Sequence, residues 1–203
     1  MGAAADCEAV GAGFLGQPIN TLTTLGFVAA GIIVIVRRQD MRWIGIGLVS
    51  TGIGSFLFHG PMPPGNEWAH DVSLAWLVTM IAGWGTRWEW ASRIPALVVI
   101  GAVVAVFPLI ADPLAAVMSA VAVISILIKD RSAATVGPLL LLASVAVIGR
   151  LGATGGPLCD PDSLLQPHAI WHLGSALAVT WWAIGAGTTR SVRVADWLPR
   201  RSS

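Results

Sequence analysis

The stretch INTLTTLGFVAAGIIVIV, residues 19–36, carries no charged side chain and is closed by Arg37 and Arg38. A hydrocarbon core takes about 20 apolar residues of helix, because every backbone polar group in lipid must be bonded internally. The run therefore predicts a membrane-spanning helix, and the arginines mark the side on which it ends. Working outward, similar runs predict spans at 43–58, 72–85, 94–110, 114–128, 136–148 and 170–186, which makes seven. The sixth is short and must borrow flanking Thr, Gly and Pro residues. Composition agrees: 55% of the 203 residues are hydrophobic and 11% charged, against about 25% charged in soluble domains. Mean hydropathy is +0.75. The expected fold class is an all-α integral membrane protein of seven transmembrane helices. One domain is expected over 1–190 and a basic cytoplasmic tail over 191–203, with no room for a second domain and no support for nucleic-acid binding.

Orientation follows from the cations. Arg37, Arg38, Arg42, Arg87, Arg93, Lys129, Arg131 and the tail's Arg190, Arg193, Arg200 and Arg201 fall on one side of the predicted topology, and only Arg150 on the other. The positive-inside rule then places the N-terminus outside and the C-terminus in the cytoplasm. Residues 1–10 hold Asp6 and Glu8 and no cation, unlike a signal peptide, so this segment is expected to be retained. Trp43, Trp88, Trp90 and Trp197 beside the inner loops, and Trp68 beside an outer one, suit membrane interfaces. Gly45, Gly47, Gly52 and Gly54 crowd the second span, where small residues let backbones approach. Short loops and an Ala-, Val- and Arg-rich composition suggest a bacterial inner membrane.

The four histidines, His59, His70, His168 and His172, all map to the outer side. His59 ends the second predicted span, His70 opens the third, and His168 with His172 open the seventh. Ionisable groups at membrane depth are costly enough to suggest function. In Pro167-His168-Ala169-Ile170-Trp171-His172 the imidazoles stand one helical turn apart, on one face. With His59 they make three nitrogen ligands and leave a fourth position open, the pattern of a catalytic zinc.

Ser55 lies one turn before His59. It either bonds back to its own helix or faces the site. Asp71, at the start of the third span, either favours the positive end of the helix or, beside a metal, orients a ligand or accepts a proton. Cys7 and Cys159 are the only cysteines. Topology puts both outside, where a disulfide is favoured over free thiols. The only lysine, Lys129, lies at an inner loop, which argues against a retinal Schiff base.

Gly54-Ser55-Phe56-Leu57-Phe58-His59, then Asp71, then His168-Ala169-Ile170-Trp171-His172 resemble the motifs of the alkaline ceramidases and the wider CREST superfamily, which includes the progestin and adipoQ receptors. Cys7-Glu8 followed by Gln17-Pro18-Ile19-Asn20-Thr21 is similar to the opening of that family. The resemblance implies a seven-helix fold, zinc on His59, His168 and His172, catalytic Ser55 and Asp71, and a Cys7–Cys159 disulfide. It also implies a calcium site, drawn here on Asp6, Glu8, Gln17 and Asn20. The family's tryptophan before the cysteine is missing, however, and Gln17 replaces a glutamate, both of which weigh against calcium. The interval from His59 to Asp71 is about one residue longer than the family pattern, which leaves His70 as an alternative for the role of Asp71.

The function so implied is a zinc-dependent lipid amidase acting on ceramide-like N-acyl lipids near the periplasmic face. The alternatives are a zinc-dependent lipid ester hydrolase and an adipoQ-type receptor with a structural zinc. Oligomeric state is left open.

Overall fold

In the computed structural model, residues 2–84 and 90–186 are described, with the side chains of 90–92 set aside. Arg87, Trp88, the side chain of Trp90, and the tail with Trp197 and its four arginines lie outside the described residues. The described elements are helical, with no strand among them. A short 3-10 turn, Ala3–Asp6, precedes α1 (Pro18–Thr23), α2 (Leu25–Arg37), α3 (Arg42–His59), α4 (Asn66–Ala82), α5 (Trp90–Val106), α6 (Ala111–Lys129), α7 (Ala133–Leu151) and α8 (Pro167–Gly185).

Among the described residues, four segments are long and apolar enough to cross a membrane: Pro18–Arg37, which joins α1 and α2, then Gln39–His59, Pro108–Lys129 and Ala133–Leu151. The sixth expected span is thus a full helix of 19 residues. The third departs most from expectation. Its helix, α4, begins at Asn66 rather than at residue 72, so His70 and Asp71 lie inside it and Asp71 is not a cap. The six added residues, Asn66-Glu67-Trp68-Ala69-His70-Asp71, are mostly polar, and polarity alone reads them as loop.

Packing sets α3 at the centre. Its most apolar window is 56% buried, against 17% for those of α6 and α7, which present Val, Ile and Leu side chains outward. Two glycine faces make this possible. A Cβ on Gly45 would meet the Gly31 carbonyl of α2 at 2.8 Å, and one on Gly54 would meet the Ala69 carbonyl of α4 at 2.6 Å. Without a hydrophobic drive between helices in lipid, such contact supplies the attraction. Trp68 does not hold its N–H for water: Nε1 donates to the Gly101 carbonyl at 3.0 Å and ties α4 to α5.

The segment before α1 is pinned to the loop before α8. Cys7 and Cys159 form a disulfide with Cα atoms 5.5 Å apart. Beside it, Thr154 donates to the Ala4 and Ala5 carbonyls and its hydroxyl accepts from the Cys7 N–H. Glu8 accepts the N–H groups of Ile19 and Asn20, at 2.7 Å each, one on each carboxylate oxygen. It thereby satisfies the free donors at the start of α1.

Candidate metal centre

Two helix ends deliver the three imidazoles. His59 is the last residue of α3, and His168 and His172 occupy the first two turns of α8, which Pro167 opens at a position where a missing N–H costs nothing. One nitrogen from each of His59, His168 and His172 lies within 4.8 Å of the others. The rings of His168 and His172 meet edge-on, with centroids 4.5 Å apart.

The surroundings settle which nitrogens converge. Gln17 is fully buried, and its Nε2 donates to the Ala3 carbonyl at 2.9 Å and the Glu8 carbonyl at 2.6 Å. Its Oε1 therefore faces His59 Nδ1, 2.6 Å away, and an oxygen acceptor there requires the proton on Nδ1. His172 Nδ1 points at the Asn20 carbonyl, at 3.2 Å, and at the Thr23 hydroxyl, at 3.1 Å. That hydroxyl already donates to the Ile19 and Asn20 carbonyls, so it too accepts. His168 Nδ1 lies 3.3 Å from Asp6 Oδ1. The His59 and His172 rings thus donate from Nδ1 and keep a lone pair at Nε2, while His168 Nδ1 stands at ion-pair distance from Asp6. The Nε2 atoms of His59 and His168 are buried and have no hydrogen-bond partner.

A buried polar nitrogen left unpaired is costly. Two such nitrogens converging with a third imidazole, with a carboxamide, carboxylate or carbonyl facing the far side of each ring, have the form of a metal site with its orienting partners. Three imidazoles and no thiolate fit zinc. Burial pushes the Asp6 carboxyl up to about 6, against the pull of His70. A cation on His168 would oppose that shift.

The residues assigned to calcium do something else. Both Glu8 oxygens accept backbone N–H groups, Gln17 Oε1 faces His59, and Asp6 faces His168. The Asn20 amide is fully buried and neither its oxygen nor its nitrogen has a partner. Gln17 and Asp6 thus stand beside the histidines, a position from which they can orient the rings. Sequence reading missed this role, since nothing in the spacing joins Gln17 to His59 or Asp6 to His168.

A cavity of about 170 Å³ leads from the histidines into the helices. Ser55, His70 and His172 line its polar end, and Leu77, Ile81, Ala122, Ile126, Val179 and Trp182 its apolar length. From His172 to Trp182 it follows about 15 Å of α8. Ser55 is buried and reaches this space; Asp71 is not among the lining residues. The Asp71 carboxylate Oδ1 lies 2.9 Å from His70 Nδ1.

Fold and site together define a helical protein of the membrane class, with four helices among the described residues long and apolar enough to cross a bilayer and three histidines that could hold a metal ion beside an apolar cavity. No protein-family model, curated protein or solved structure matches the chain.

Proposed function

We propose that the chain is a zinc-dependent lipid amidase of the alkaline ceramidase type, cleaving ceramide-like N-acyl lipids within a bacterial inner membrane. On this reading it has seven spans, an outer N-terminus and a cytoplasmic tail, so the histidines lie near the periplasmic face. The observation that carries it is the cluster of three histidines, with the buried Nε2 atoms of His59 and His168 left without a partner, beside an apolar cavity that His172 lines. The order of Ser55, His59, Asp71, His168 and His172 along the chain supports the family.

Zinc, when bound, supplies Lewis acidity that brings the pKa of water down to about 7. The chain supplies the rest. The cavity takes a hydrocarbon chain and sets the acyl carbon beside the histidines. Ser55 donates a hydrogen bond to the acyl oxygen as it gains charge, a contribution of about 3 kcal/mol for one well-placed donor. A proton must leave water and reach the departing amine, and the resemblance gives that transfer to Asp71.

Zinc-loaded full-length protein in lipid nanodiscs, given N-acyl sphingosine of graded chain length, is expected to release fatty acid. Release only from ester lipids would replace amidase with esterase. Binding without turnover would favour the receptor reading.

A further inference from the structure

His70 is the one histidine outside the three-nitrogen group. Its Nδ1 faces the Asp71 carboxylate at 2.9 Å, so Nδ1 carries the proton and Nε2 keeps its lone pair. The ring stacks on Phe58, with centroids 4.6 Å apart and planes 23° apart, which restrains its rotation. It stands edge-on to His59 at 6.3 Å between centroids. His70 lines the cavity with Ser55 and His172, whereas Asp71 does not. A substrate in the cavity meets the imidazole and not the carboxylate.

We infer that His70 is the catalytic residue that moves the proton, and that Asp71 is its positioning residue. The inference rests on the hydrolase reading. Nε2 of His70 takes a proton from water as the water oxygen bonds to the acyl carbon. The C–N bond then breaks, and the proton on Nε2 passes to the departing nitrogen. One water and one amide become one carboxylic acid and one amine, with no oxidant or reductant. Asp71 accepts from Nδ1 throughout, which holds the tautomer and steadies the charge on the ring, as a carboxylate does behind a catalytic histidine.

Full-length zinc-loaded protein tests this with His70→Ala, Asp71→Asn and His59→Ala, each measured for zinc content, kcat and KM on an N-acyl lipid. His70→Ala is expected to keep its zinc and its KM while kcat falls about a hundred- to ten-thousandfold. Added imidazole should restore part of that kcat, because it can occupy the vacated space. Asp71→Asn should lower kcat by less, at full zinc and unchanged KM, with no response to imidazole. Loss of zinc from His70→Ala as complete as from His59→Ala would make His70 a ligand and overturn the proposal. So would full turnover in His70→Ala, or an Asp71→Asn defect deeper than that of His70→Ala. A parent protein that hydrolyses no acyl lipid would overturn the hydrolase reading itself, and the proposal with it.

Discussion

The two ends of the helix bundle treat polar side chains in opposite ways. At one end Arg38 donates from Nη1 to the carbonyls of Ala183, Ile184 and Ala186, at 2.5–3.0 Å, and from Nε and Nη2 to Asp40. Close by, Lys129 donates to the Trp84 carbonyl and lies over its indole at 5.7 Å. These cations satisfy carbonyls left over where α8 and α4 end, and nothing further is needed. At the other end Gln17, Asn20 and Asp6 face one nitrogen each of His59, His172 and His168, and the Nε2 atoms of His59 and His168 are left bare. Saturated polar contacts hold a fold together. Polar groups arranged to leave one atom unpaired in a dry place indicate something that completes them.

Zinc affinity separates the two ends, and five variants grade the difference. The largest effect belongs to His172→Ala: it removes a ligand, so zinc and turnover should both fall to background in metal analysis and lipid assay. Gln17→Leu removes only the acceptor behind His59, and competition with a chelator should show zinc held about 10–100-fold more weakly. Gln17→Glu keeps an oxygen in place and should recover most of that loss. Smaller again is Cys7→Ala with Cys159→Ala, since Thr154 still holds the segment carrying Asp6. A severalfold loss of zinc affinity is expected, with about 2–4 kcal/mol of stability lost by denaturant titration. Arg38→Met should leave zinc binding untouched while costing about 1–3 kcal/mol, because buried carbonyls lose their donor. A zinc defect in Arg38→Met equal to that of Gln17→Leu would erase the distinction between the ends.

Much of this was legible in the chain. Uninterrupted apolar runs mark helices because lipid admits no unpaired backbone, and His168 and His172 share a face because they lie one turn apart. Hydropathy misplaced the start of α4 because that helix opens with the polar side chains of Asn66, Glu67, His70 and Asp71, which polarity alone reads as loop. The roles of Gln17 and Asp6 were invisible for another reason. Each acts on a histidine far along the chain, through a contact that only the folded N-terminal segment creates, and no periodicity encodes it.

The central claim is that the three Nε2 atoms of His59, His168 and His172 bind one zinc ion while their Nδ1 atoms stay protonated on Gln17, Asp6 and Asn20. Nitrogen-15 NMR of histidine-labelled, metal-free protein titrated with zinc reads this directly. Saturation at one equivalent, with three Nε2 resonances shifted and His70 unchanged, is the predicted result. A titration that moves no imidazole nitrogen, or that shifts Nδ1 in place of Nε2, would contradict the account.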